Sequence, residues 1–281
     1  MTEQETVVPA PPAEPPPVPA EAPQPVRKDR RALRAALRWS AAVVAFAAAG
    51  AGTAYGITRM ERTDVPGLAT ASDGRWEYPR LAKPPLPSGS PGPHAESNPA
   101  GTHHADLRAL VLPAPEGATE DKALRGSDGW LATDVFLKEY ADPEERDDFR
   151  QRLVDGGLRH IAARGWTAED GTRTRIYLLR FNTGAMVEGR FVNEVLPYRV
   201  PLYTVRGAEN PVPDEDFPAA ATVPGVQRTV YDESEPYGAE HDRQGYLAAG
   251  DVLAVILQSR KGTAHPVPFQ QTVVLQSQLI G

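Results

Sequence analysis

Residues 158–181 read LRHIAARGWTAEDGTRTRIYLLRF, and this stretch decides the fold class. Two β-rich runs, 158–166 and 173–181, flank Ala168-Glu169-Asp170-Gly171-Thr172, and an Asp-Gly pair between such runs signals a hairpin. In the second run Tyr177, Leu179 and Phe181 alternate with Ile176, Leu178 and Arg180. One face is strongly apolar and the other nearly so, which predicts a central strand.

Upstream, Asp142-Pro143-Glu144-Glu145 is the clearest helix start in the chain. Asp142 caps the first amides, Pro143 suits the first helical position, and the glutamates complement the positive end of the dipole. Phe149 and Leu153 supply the buried stripe and Gly156-Gly157 ends the helix. A further helix is expected over 130–140, capped by Ser127 or Thr133. Downstream, Asn182 or Thr183 opens a helix with Met186, Val187, Phe191 and Val195 on one side, stopped by Pro197 and Pro201. Residues 207–224, rich in Pro, Gly and acids, read as a long surface loop. Residues 225–231 read as a strand, 246–248 and 252–257 as a hairpin around Ala249-Gly250-Asp251, and 269–280 as a terminal helix entered through Pro266 and Pro268. The order αββα then ββα predicts an α+β domain over 104–281, with an antiparallel sheet of about four strands and helices on one face.

The rest of the chain is laid out by its prolines. Of 29, nine fall between Pro9 and Pro25 and seven between Pro79 and Pro99. Residues 1–26 have no hydrophobic period and read as a disordered tail with polyproline II character. Residues 59–103, Pro/Gly/Ser-rich, read as a spacer. Trp76 and Tyr78 stand out within it, as side chains that pack on the domain or lie at a headgroup layer. Between the two tracts, residues 40–58 (SAAVVAFAAAGAGTAYGIT) carry no charge, and 19 residues at about 1.5 Å each give roughly 28 Å, the hydrocarbon thickness of a bilayer. Basic residues 27–38 precede this segment, so the positive-inside rule places the amino terminus in the cytoplasm and the bulk of the chain outside the plasma membrane, on a single pass. Residues 27–39 form a basic juxtamembrane segment, with Leu33, Ala36 and Leu37 extending the helix into the interface. A cleaved signal peptide is the competing reading; 38 preceding residues favour a retained signal anchor. Ala48, Gly52 and Gly56 follow small-xxx-small spacing and are the candidate contact for a homodimer through the membrane helix, against a chance pattern in an Ala-rich segment.

Charge and composition exclude several functions. The chain carries 30 basic and 37 acidic residues; removing the six and five in the first 39 leaves 24 and 32, a net of −8. An acidic region of that kind disfavours nucleic acid as a partner, so the expected partners are the lipid bilayer and a protein bound by the domain or by the Pro-rich tail. With no cysteine there is no disulfide, thiol nucleophile, iron–sulfur cluster or Cys-ligated zinc. Arginine outnumbers lysine 25 to 5, in keeping with a GC-rich genome.

No catalytic, cofactor or metal residues are assigned. His94, His103, His104, His160, His241 and His265 form no helix-spaced metal pair, and the adjacent His103 and His104 point oppositely on an extended chain. His160 reads as a half-buried strand residue and Glu240-His241-Asp242 as a solvated turn. The acids of 142–148 lack the spacing of a calcium loop, and Asp214-Glu215-Asp216 reads as solvated. No nucleophile elbow, Walker loop or dinucleotide fingerprint occurs.

The segments SDGRWEYPRL (72–81), ARGWTAEDGTRTRIYLLRF (163–181) and GYLAAGDVLAVILQSRKG (245–262) with the terminal helix resemble uncharacterised single-pass membrane proteins of high-GC bacteria. Their membrane-distal part is similar to extracytoplasmic sensor-type α+β domains of some bacterial lipoproteins and Ser/Thr kinases. The resemblance covers about residues 60–281 and implies no catalytic residues; this chain has neither a kinase domain nor a lipidated cysteine. The expected function is a membrane-anchored, non-enzymatic envelope protein whose domain binds a ligand or partner. The alternatives are an envelope hydrolase with a carboxylate site, and a working Pro-rich tail carried by a scaffold domain.

Overall fold

A computed structural model describes residues 30–59, 72–195, 200–235 and 238–281. The Pro-rich tail, residues 60–71 and Pro197 lie outside the described residues. The chain divides into two compact units, Met1–Thr70 and Ala71–Gly281.

The first unit is described through one helix, α1 (Arg31–Arg59). It contains a stretch, Arg31–Gly56, long and apolar enough to cross a membrane, and none of that stretch is buried. The helix starts nine residues before the uncharged segment and takes in Arg31, Arg34 and Arg38, because alanine and leucine between the arginines keep helix propensity high. Its hydroxyls are satisfied internally: Ser40 Oγ donates to the Ala36 carbonyl at 2.8 Å and Thr53 Oγ1 to that of Ala49 at 2.8 Å. The Arg59 guanidinium sits 4.8 Å from the Tyr55 ring centre. Ala48, Gly52 and Gly56 are exposed, with open space where the glycines would carry a Cβ.

The second unit mixes helix and sheet. Its elements are α2 (Leu107–Leu110), β1 (Thr119–Glu120), α3 (Thr133–Leu137), α4 (Pro143–Asp155), β2 (His160–Thr167), β3 (Arg173–Arg180), α5 (Gly184–Met186) continuing as a π-helix over Val187–Val195, β4 (Pro211–Pro213), β5 (Gln227–Glu233), β6 (His241–Ala249), β7 (Val252–Arg260) and α6 (Pro266–Ile280). The strands form one antiparallel sheet of seven in the order β1-β2-β3-β7-β6-β5-β4. The expected sheet of about four strands is in fact one of seven: β2, β3, β5, β6 and β7 answer to runs read as strands, while β1 and β4, only two and three residues long, are too short to show a period. β4 is Pro-Val-Pro inside the expected 207–224 loop, and prolines are tolerated there because it is an edge strand.

Helices cover both faces, not one. Tyr177 and Leu179 of β3 join Phe136, Phe149, Leu153 and Phe191 in one core. Ile176 and Leu178 of the same strand join Leu107, Leu110, Phe269 and Val273 in the other. A strand apolar on both faces needs cover on both. In the first core Phe136 packs edge-on against Tyr177, Tyr140 and Phe149, with ring centres 5.1, 5.7 and 5.8 Å away. On the other side Gly245 lets α6 cross β6 closely, since a Cβ there would lie 3.0 Å from Val273 Cγ2.

A local signal explains α4 in full. Asp142 Oδ1 accepts from the amides of Glu144 (2.7 Å) and Glu145 (3.1 Å), as its cap role requires. The helix expected over 130–140 shrinks to α3, and Trp130 instead closes a turn with Ser127. The helix after Thr183 keeps Val187, Phe191 and Val195 buried but runs as a π-helix, and Thr183 makes no side-chain cap bond.

The expected spacer ends earlier than residue 103. From Trp76 the chain is fastened to α6, where two glutamines clamp the backbone of Trp76 and of Leu110 and Leu112. Gln271 accepts from the Trp76 amide and donates to its carbonyl, both at 2.8 Å. Gln276 accepts from the Leu112 amide at 2.9 Å and donates to the Leu110 carbonyl at 3.0 Å. Tyr78 bonds Thr272 at 3.0 Å and meets Trp166 edge-on.

Candidate functional site

The site lies at the end of the sheet where β6 turns into β7. Gly250 and Asp251 make that turn, with Gly250 at φ 48°. A Cβ on Gly250 would sit 2.1 Å from the Gly101 carbonyl oxygen, and one on Gly184 would sit 3.1 Å from the Gly250 carbonyl. Three glycines therefore allow three chain segments to touch through their backbones. Short bonds fix the contact: the Asp251 amide donates to Gly101 O at 2.8 Å, the Phe181 amide to Asp251 O at 2.8 Å, and the Gly184 amide to Ala100 O at 2.7 Å.

The Asp251 side chain, 1% exposed, is the hub. Its Oδ1 accepts from the His103 amide at 2.9 Å and lies 2.7 Å from His103 Nδ1, while Oδ2 accepts from Arg180 Nε at 3.0 Å. His103 Nε2 lies 2.7 Å from the Ile280 carbonyl, so both ring nitrogens face oxygen atoms. The hub thus ties residues 98–103, the end of β3 and the end of α6 to the β6–β7 turn. Asn98 orders the approach, donating to Gly92 O and Thr102 O, both at 2.9 Å, and accepting from the Thr102 amide.

Three cavities surround the hub. The largest, about 340 Å³, is walled by Gly101, Gly184, Gly225 and Gly250 with Asn98 and Gln227 at its polar edge. His94 lies flat over Gly225 beside it, and partial burial, with His103 and Lys83 nearby, lowers its pKa below the usual histidine value. The second, about 250 Å³, is apolar and lies between Pro84, Leu86, Leu110 and Ile280. The third, about 230 Å³, is lined by Thr102, Arg159, His160, Arg180, Asn182 and Asp251 among others.

His103 has both nitrogens engaged and offers no free base, and among the described residues no three His, Asp or Glu side chains are grouped to hold a metal ion. His103 is buried and His104 exposed, as their opposite directions require. His160, expected to be half-buried, is exposed at the start of β2 and stacks on Trp130 with ring centres 4.5 Å apart.

Two polar clusters elsewhere overturn the solvated readings. His241 is 1% exposed; its Nε2 lies 2.7 Å from Asp232 Oδ1 and its Nδ1 accepts from the Ala264 amide at 3.0 Å. Arg243 bridges Asp232 (3.0 Å) and Asp214 (3.3 Å), so Asp214 is a buried anchor of its loop, its pKa raised chiefly by burial. Asp242, 4% exposed, adjoins Glu233 of β5, whose Oε2 accepts from the Asp242 amide at 2.9 Å. Burial first and the Glu233 charge second push the Asp242 carboxyl up to about 7. This is a converging carboxylate pair, but neither residue lines any of the three cavities at the β6–β7 end. The hub residues escaped the sequence reading because Asp251 looks like an ordinary turn residue and lies 148 positions from His103.

No protein-family model matches this chain, and no curated protein matches it.

Proposed function

We propose that the chain is a membrane-anchored, non-enzymatic binding protein of the bacterial plasma membrane, with a cytoplasmic amino terminus and a ligand- or partner-binding domain outside. The observation that carries the reading is the glycine-walled end of the sheet, where three cavities surround a fully engaged Asp251. Concave surface on which polar groups converge beside an apolar cavity suits recognition. The resemblance to single-pass proteins of high-GC bacteria with sensor-type domains supports it. An envelope hydrolase is the alternative, and Asp242 beside Glu233 is the pair it would use; their position away from those cavities favours binding.

A benzophenone amino acid at Gln227, on the rim of the largest cavity, tests binding by photo-crosslinking in intact cells. Specific adducts are expected there and not from the same group at Lys261, beyond the opposite end of β7; equal patterns or empty lanes at both would count against binding. The orientation has its own test, because the chain has no native cysteine. A membrane-impermeant maleimide should label Ser97→Cys in intact cells and leave Thr2→Cys unlabelled until lysis. The reverse pattern would invert the topology.

A further inference from the structure

The third cavity presents donors almost alone. His160 and Arg180 are directly paired across β2 and β3, so their side chains share a face, and the Arg159 amide donates to the Arg180 carbonyl at 2.8 Å. Both guanidinium groups are held by their Nε atoms: Arg180 by Asp251, and Arg159 by Asn182 Oδ1. Among the described residues neither arginine's terminal nitrogens have a hydrogen-bond partner, and Arg159 has no ion pair. The same holds for the ring nitrogens of His160 and the Thr102 hydroxyl. The one carboxylate in the lining, Asp251, already accepts three N–H groups. Arg175 and Arg173, by contrast, have their terminal nitrogens engaged by carboxylates, Glu139 (2.6 Å) and Glu240 (3.0 Å).

Two anchored guanidinium groups thus turn free terminal donors into one concave place, and the one carboxylate there, Asp251, is already engaged by Arg180 and His103. We propose that this cavity is an oxyanion site, which holds the phosphate or carboxylate group of a small ligand between Arg159, Arg180, His160 and the Thr102 hydroxyl. Guanidinium groups fixed at Nε offer paired terminal N–H donors to two oxygens at once, the geometry in which arginine recognises such groups. A volume of about 230 Å³ fits the charged head of a ligand, with the remainder outside. The assignment deepens the binding reading and rests on it.

The test is calorimetric titration of the full-length protein in detergent micelles, at fixed ionic strength, with inorganic phosphate, acetate or chloride. Saturable binding of phosphate or acetate is expected and chloride should give none; whichever oxyanion binds identifies the head group. Arg159→Gln, at an exposed position, should weaken that binding by about tenfold or more, the scale of one charge-assisted pair. Arg206→Gln, at an exposed position outside the cavity, should leave it unchanged. Absence of oxyanion binding above chloride, or equal affinity in Arg159→Gln, overturns the assignment. The photo-crosslinking result at Gln227 judges the broader reading separately.

Discussion

Asp251→Ala is expected to lower the stability of the domain by about 3–5 kcal/mol, the usual cost of removing one partner from a buried ionic cluster. The residue is 1% exposed and accepts three bonds of 2.7–3.0 Å. Its removal leaves the His103 amide, the His103 ring and Arg180 Nε without their acceptor, the first two on a residue only 3% exposed. Thermal unfolding should shift down by roughly 10 °C or more, at about 2–4 °C per kcal/mol for a domain of this size. Limited proteolysis should report the local consequence. Residues 92–104 are held partly by this hub, so cleavage near Ser97 should accelerate before global unfolding. Asp73→Ala is the control, since its pair with Arg75 is 65% and 69% exposed and should be worth almost nothing. If Asp251→Ala unfolds within about 1 kcal/mol of the parent, the cluster does not fasten this end of the domain.

The hub shows why the fold was more legible than the site. Local chemistry announced α4, where Asp142, Pro143 and two glutamates sit in consecutive positions, and the β2–β3 hairpin, where Asp170-Gly171 follows a β-rich run. Both depend on residues within a few positions of each other. β6 was only partly legible. The expected hairpin arm covered 246–248, but the strand runs His241–Ala249 with every residue buried. Its first half, His241-Asp242-Arg243-Gln244, reads as solvated surface, yet inside the fold the side chains of His241, Arg243 and Gln244 and the Asp242 amide find partners brought from another element or from the same strand. A hydropathy pattern carries no trace of such pairings.

The same distance effect explains the docked segment and the second helical layer. Trp76 and Tyr78 in a proline-rich tract left two placements open, and their partners on α6 lie 195 and 194 residues away. The near-equal faces of β3 already implied cover on both sides, since Ile176 and Leu178 need burial as much as Tyr177 and Leu179. An antiparallel sheet with one open face would have shown alternation instead. Asp251, His103 and Arg180 were illegible for a stricter reason: each is an ordinary residue in its own context, and only the backbone contact of Gly101, Gly184 and Gly250 brings them together.

Asp242→Asn should stabilise the protein at alkaline pH, a second large effect and opposite in sign to the first. The Asp242 carboxyl ordinarily titrates near 3.8 and is pushed up to about 7 in the fold, by burial first and the neighbouring Glu233 charge second, with Arg175 and Arg173 pulling partly the other way. Glu233 is fixed beside it by accepting from the amides of Asp242 (2.9 Å) and Glu209 (2.7 Å). Between about pH 4 and 7 the folded protein keeps a proton that the unfolded chain has released, so stability falls as pH rises through that window. Above it the folded state carries a buried charge beside another of the same sign. At about 1.4 kcal/mol per pH unit, three units set a ceiling of about 4 kcal/mol, and relaxation of the site brings the expected gain at pH 8 to about 2–3 kcal/mol. The amide that replaces the carboxyl has no charge to bury, so the unfolding midpoint of the variant should exceed the parent's by about 5–10 °C at pH 8. The two curves should converge toward pH 4, where the parent's carboxyl is neutral as well. The measurement is thermal unfolding of both proteins from pH 4 to 9 in the same detergent. A constant offset between the curves would mean that the substitution acts through packing and that Asp242 does not titrate in this range.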